Sequence, residues 1–295
     1  MSRMTSNLLD EAIGIDDSTN LSPLVGRLLL VEDCVETSGA FVLHHLLKRA
    51  FSSPHSSNAV IFVAFSQSFV HYDRVLRKLG CNLAAQRDSH RFFFLDMLTV
   101  GCSDRSGKET DEGVLVGLYC KIQRAVSALI QENKSHVTIV IDDIPLLEVA
   151  ANGSSNHVLD FLHYCHTLTS EIGCSIIALS HEDVYLDIER PLILQMEYLA
   201  DVLIKVGPLA TGIAKDVHGQ LTVLNKPVGG LQENLRNRVH NFQFYIKENV
   251  KLPDFEHLLI LFVMQLERRS IEIITDSIDS LLYSRFVLCE TYLFI

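Results

Sequence analysis

After Arg27 the chain alternates short apolar runs with longer segments whose apolar residues recur at helical spacing. The apolar runs 27–31, 59–65, 91–95, 137–141, 174–180 and 202–206 are rich in Val, Ile, Leu and Phe. Several are apolar throughout, the pattern of strands buried on both faces. The spacing predicts helices over 41–51, 68–79, 113–132 and 156–171. In the last of these Val158, Leu159, Phe161, Leu162 and Cys165 form one stripe, with Asn156 as the expected cap. Strands alternating with helices imply an α/β fold, a mostly parallel central sheet flanked by helices. Polar breaks at 52–58, 101–112 and 151–155 fit surface loops. A late antiparallel β section follows, with 219–225 and 241–249 joined by a Gly-rich polar loop. Residues 1–20 read as a flexible leader, 21–250 as one domain and 251–295 as an atypical extension without a firm assignment. That extension joins an apolar run, 258–264, to Glu267-Arg268-Arg269, and a helix is compatible with it.

The first strand leads into Glu32-Asp33-Cys34-Val35-Glu36-Thr37-Ser38-Gly39-Ala40, and a helical segment follows. A nucleoside triphosphatase carries G-x-x-x-x-G-K-[ST] in this strand–loop–helix layout. Its glycines free backbone N–H groups to cradle phosphate, its Lys neutralises charge and its Ser/Thr holds magnesium. Here the loop has one Gly, no Lys and three carboxylates. At about 4 Å each carboxylate would repel a phosphate by roughly 1 kcal/mol in water and about 4 near a protein surface. The run 137–141 ends in Asp142-Asp143, where such an enzyme holds its magnesium shell. The pair either serves that role or closes a strand end. Asp33, Ser38, Gly39, Ala40, Asp142 and Asp143 thus outline a degenerate nucleotide site, for which no catalytic residue, cofactor or metal is expected.

Composition narrows the functional classes. Of 295 residues 48% are hydrophobic and 21% charged, which suits a sizeable core, and the net charge of -11 argues against a coat of non-specific nucleic-acid contacts. One local basic patch stands out, with Lys226, Arg236 and Arg238 in or beside the Gly-rich loop. It reads either as a contact for a phosphate backbone or as a solvated loop. The seven cysteines are scattered and form no C-x-x-C, so they read as reduced core residues of a cytosolic or nuclear protein. His44 and His45 are adjacent and point about 100° apart on a helix. His163, Cys165 and His166 share a helix, without a second ligand pair at zinc-like spacing. No G-x-S-x-G elbow is present. The run 258–264 is too short to span a bilayer, and no membrane partner is expected.

Four stretches carry a likeness that goes beyond fold. They are Phe41-Val42-Leu43-His44-His45-Leu46-Leu47; Val63-Ala64-Phe65-Ser66-Gln67-Ser68-Phe69-Val70-His71-Tyr72 with Lys78-Leu79-Gly80; Val158-Leu159-Asp160-Phe161-Leu162-His163-Tyr164-Cys165; and Leu209-Ala210-Thr211-Gly212-Ile213-Ala214-Lys215-Asp216-Val217-His218-Gly219-Gln220-Leu221. Together, from about Leu21 to about Val250, they resemble the sixth subunit of the Elongator complex. From about Leu252 the chain departs from that family's pattern. The resemblance implies a RecA-like fold without ordinary Walker residues. It also implies a place in a hetero-hexameric ring with Elongator subunits four and five, beside the catalytic subunits. Such a ring binds tRNA and supports modification of the wobble uridine in the cytoplasm and nucleus, with a further link to transcription elongation. A competing reading is a diverged but active nucleotidase that uses Asp142 or Asp143.

Overall fold

The computed structural model describes residues 8–14, 24–52, 57–98, 111–185, 191–209, 212, 217–226, 238–252 and 255–265. In chain order the elements are α1 (Leu8–Ile13), β1 (Leu28–Asp33), α2 (Ala40–Phe51), β2 (Asn58–Ala64), α3 (Phe69–Lys78), α4 (Leu83–Asp88) and β3 (Phe92–Asp96). Next come α5 (Asp111–Gln131), β4 (His136–Ile141), α6 (Ile144–Ala150), α7 (Ser155–Ile172) and β5 (Ser175–His181). A 3-10 turn at Glu182–Tyr185 is followed by α8 (Pro191–Leu199), β6 (Val202–Gly207), β7 (Gly219–Asn225), β8 (Arg238–Leu252) and β9 (Phe255–Gln265).

Nine strands form one sheet in the order β3-β2-β4-β5-β1-β6-β7-β8-β9. The first six run parallel, and β7, β8 and β9 extend the sheet antiparallel. The inner parallel strands β1, β2, β4, β5 and β6 are mostly apolar because both their faces are covered, whereas the edge strand β3 is only partly buried. In β1, Leu28 and Leu30 pack against the layer of α5 to α8, whereas Leu29 and Val31 pack against the layer of α1 to α4. The path leaves β1 along one face and returns along the other, so chain direction reverses around β1. The carboxyl ends of β1, β4 and β5 meet there, the place where open α/β sheets hold ligands.

Helix α5 is long and apolar enough, by length and composition, to cross a membrane. Its stripe of Leu115, Leu118, Ile122, Val126 and Leu129, at steps of three and four residues, is buried in the core. The cap of α7 is Ser154, whose hydroxyl accepts from His157 N–H, two residues ahead of the expected Asn156. The helix stops at Gly173, whose φ of 76° favours a residue without Cβ.

Both ends of the chain differ from the sequence reading. Part of the leader is ordered: Leu9, Ala12 and Ile13 join the core. The buried Asp10 contacts His45 Nε2 at 2.8 Å and Arg49 Nε at 2.9 Å. Apolar spacing within six residues is too short a signal to reveal α1. In the extension, Phe255–Gln265 is a strand rather than a helix and pairs antiparallel with β8 from Gln243↔Gln265 to Leu252↔Phe255. Residues 266–295 lie outside the described part.

Candidate functional site

The phosphate-loop position is built from β1, the following loop and the start of α2. Four of the loop's backbone N–H groups are used by the chain itself. Val35 donates to Asp183 Oδ2 at 2.8 Å, Thr37 to the Cys34 carbonyl at 3.0 Å, Gly39 to Asp33 Oδ2 at 2.6 Å and Ala40 to Ser38 Oγ at 3.2 Å. The Thr37–Cys34 bond closes a four-residue turn, so the loop folds on itself instead of wrapping an anion. Gly39 serves close packing: a Cβ there would lie 3.1 Å from both Asp33 Cβ and Val31 Cγ1. Its φ of -87° needs no glycine. Ser38 is exposed and its hydroxyl is spent on the Ala40 amide.

Asp33 occupies the anion position itself. Its side chain is 2% exposed and its second oxygen faces His181 Nδ1 at 2.5 Å. The other ring nitrogen, Nε2, lies 3.2 Å from Asp143 Oδ2. A neutral imidazole has only one N–H, so facing a carboxylate from both nitrogens favours the imidazolium. Hydrogen bonds to Asp143 and Asp33 accordingly push the His181 pKa up to about 10, against the opposing effect of burial. Asp143 also caps α6, accepting from Leu146 N–H at 2.7 Å. The carboxylates of Asp33 and Asp143 are thereby joined by one cation across the ends of three strands.

Asp142 points elsewhere. Its Oδ1 accepts from Phe65 N–H at 2.7 Å, and its Oδ2 from Ser66 N–H at 3.1 Å and from the Tyr72 hydroxyl at 2.6 Å. Burial raises its pKa, while these hydrogen bonds and the Tyr72 bond oppose the rise. Tyr72 is itself raised, by burial and then by Asp142. The acid at the magnesium position thus clamps the loop after β2. Glu32 projects from β1 to the opposite face, 1% exposed, with Lys205 Nζ 2.9 Å from its Oε2. Neither Glu32 oxygen receives a well-directed hydrogen bond. Burial pushes its pKa up to about 7 against the pull of Lys205, which also meets Glu197 at 2.6 Å. The three carboxylates of the loop are therefore not equivalent. One fills the anion position, one is buried with a cation on the other face, and Glu36 is exposed.

The basic positions fare differently from the acidic ones. Lys226 Nζ donates to the Glu197 carbonyl at 2.6 Å and the Tyr198 carbonyl at 3.3 Å, so its ammonium caps the carboxyl end of α8. Arg238 opens β8 opposite Asn225, and Arg236 lies outside the described residues. The structure brings Asp33, Gly39 and Asp143 to one place and turns the Lys226 ammonium onto α8 instead. His181 and Asp183 were not singled out from the sequence. The polar trio His181-Glu182-Asp183 at the end of the apolar run 174–180 is the same kind of signal as Asp142-Asp143.

The family model for Elongation complex protein 6 matches residues 12–248. The chain belongs to the Elongator complex protein 6 family. Elongator complex protein 6 of Xenopus laevis is 28% identical over 239 residues, covering 76% of this chain and 88% of its own. The mouse protein is 31% identical over 215 residues, with 68% and 79% covered, and the human protein 30% over 215 residues with the same coverage. Among solved structures, a KaiC-like protein of Pyrococcus horikoshii superposes with a TM-score of 0.53 at 16% identity, over 76% of this chain and 87% of its own. An uncharacterised protein of the same archaeon, solved with an unknown peptide, reaches 0.58 at 16% identity over 81% and 93%. These likenesses establish the RecA-like fold. As an Elongator subunit 6 the chain is one part of a larger complex, and the family match stops four residues short of the departure near Leu252.

Proposed function

We propose that this chain is a non-catalytic assembly subunit of Elongator, forming a RecA-like hetero-hexameric ring with two copies each of subunits four, five and six. The ring binds tRNA and supports modification of the wobble uridine, while the chemistry stays with the catalytic subunits of the complex. It acts in the cytoplasm and nucleus, and the link to transcription elongation by RNA polymerase II follows from the same family. The observation that carries the non-catalytic part is the internal use of the phosphate loop: Asp33 takes the Gly39 amide and the His181 cation that a phosphate would need. Family membership supports the assembly part. Contact with tRNA is then a property of the ring, through basic loops converging from several subunits. Lys226, Arg236 and Arg238 are its candidate residues here, with Lys226 first having to leave its helix cap.

Two measurements test this reading. Co-expression with subunits four and five should give one hexamer-sized peak on size exclusion. Elution of this chain alone while the other two assemble would refute the partnership. The purified single subunit should not turn over ATP, and turnover abolished by Asp142→Ala would establish the nucleotidase reading instead.

A further inference from the structure

A groove of about 330 Å³ runs between α5 and α7 and shares no lining residue with the phosphate-loop position. Leu115 and Phe161 form its buried floor. Val116 is 55% exposed and Tyr164 59% exposed, so the walls present large apolar surface to solvent. The rings of Tyr119 and Tyr164 lie 5.6 Å apart at 44°, a tilted pair in mutual contact that leaves Tyr164 exposed. Asp160 stands one helical turn before Tyr164 on α7 and so shares its face. Its exposed carboxylate has no ion-pair or hydrogen-bond partner among the described residues. His157 also lines the groove, and its Nδ1 is shielded from solvent without a hydrogen-bond partner.

The exposed Tyr164 ring and the Asp160 carboxylate favour a cation. Tyrosine faces attract positive charge, and a carboxylate beside the exposed Tyr164 ring adds a fixed anion. A lysine ammonium is a strongly hydrated point charge, better served by several carboxylates or a closed cage. A guanidinium is planar and weakly hydrated. It stacks on one ring while its five N–H donors reach acceptors at the ring edge. Here the acceptor is the Asp160 carboxylate. We propose that this groove is a docking site for an arginine side chain presented by a partner protein. The apolar floor receives the methylene stem, the exposed Tyr164 ring stacks on the guanidinium plane and Asp160 neutralises it. The site stands independently of the ring reading, because it uses neither the phosphate loop nor the strand ends.

The test is aromatic NMR on the full chain carrying ¹³C-labelled tyrosine, with Tyr119→Phe and Tyr164→Phe assigning the two signals. N-acetyl-arginine-N-methylamide should shift both signals saturably, with an affinity on the order of millimolar for so small a probe. The matching lysine probe should bind at least about threefold more weakly, and the neutral citrulline probe should give no saturable shift. Asp160→Asn and, separately, Tyr164→Leu should each weaken the arginine probe by at least about threefold. Citrulline or lysine binding as well as arginine overturns the guanidinium assignment, as does an unaffected Asp160→Asn or the absence of any saturable shift. Free L-arginine binding more tightly than the capped probe would make this a metabolite site and overturn protein docking.

Discussion

Replacing Asp33 with Ala removes a carboxylate that accepts from Gly39 N–H at 2.6 Å and meets His181 Nδ1 at 2.5 Å, in a place 2% exposed. Two hydrogen bonds to a charged group, at about 1.5–3 kcal/mol each, total roughly 3–6 kcal/mol. Removing one partner of a buried ion pair costs about 3–5 kcal/mol, so the two routes overlap at about 3–5. In a body of this size each kcal/mol moves Tm by about 2–4 °C, which gives a fall of about 6–20 °C. The vacated position keeps the Gly39 amide and the His181 cation, so a dissolved anion should replace part of the loss. Thermal unfolding followed by circular dichroism, in sodium phosphate against sodium chloride at equal ionic strength, reads both effects. Phosphate strengthens burial in any protein, so the informative quantity is the extra gain of the variant over the wild type. A variant that loses less than about 2 °C, well under the size expected for a buried pair, would show that Asp33 is not the internal anion. Equal phosphate gains in both proteins would refute the anion position itself.

The His181 pKa lies near 6.5 in the unfolded chain and is raised to about 10 in the fold, so its stabilisation is complete below about 6.5 and drains as pH rises through about 10. Tm measured across that window should fall more steeply in the wild type than in His181→Gln, and parallel slopes would refute the bridge. Gly39→Ala forces a Cβ to 3.1 Å from Asp33 Cβ and Val31 Cγ1 and should cost about 1–3 kcal/mol in urea denaturation, a neutral result meaning that the loop gives way freely. Tyr72→Phe leaves one oxygen of the buried Asp142 with a single donor and should destabilise by about 1–3 kcal/mol; no change in the urea midpoint would remove Tyr72 from the clamp.

The parallel body is legible in the sequence because its inner strands are short, mostly apolar runs buried on both faces. The run 59–65 predicts Asn58–Ala64, and 202–206 predicts Val202–Gly207, each to within a residue at either end. The helices that escape the reading are the short or uniformly apolar ones. Helix α8 reads Pro191-Leu192-Ile193-Leu194-Gln195-Met196-Glu197-Tyr198-Leu199, where apolar residues on every side hide the 3.6-residue period. Helices α4 and α6 span six and seven residues, too few turns for a stripe. At the candidate site, the missing Lys and glycines are visible directly, but their replacement is not. Asp33 and His181 are separated by 148 residues, and only the neighbouring register of β1 and β5, Asp33↔His181, brings them together. Lys226 shows the opposite limit: its type and neighbours suit a phosphate, while tertiary structure turns its ammonium onto the last carbonyls of α8.

A ligand held at a phosphate loop dissociates, and the stability it lends grows as RT ln(1 + [L]/Kd) with its concentration. The carboxylate of Asp33 is covalently part of the chain, six residues from the amide it fills. Its occupancy has no concentration dependence, no off-rate to the medium and no distinct states before and after hydrolysis. On the proposed non-catalytic reading, the shape of this loop does not follow the ratio of nucleoside triphosphate to diphosphate in the cell. In any assembly whose other members cycle with nucleotide, such a subunit is a constant against which their movements are registered.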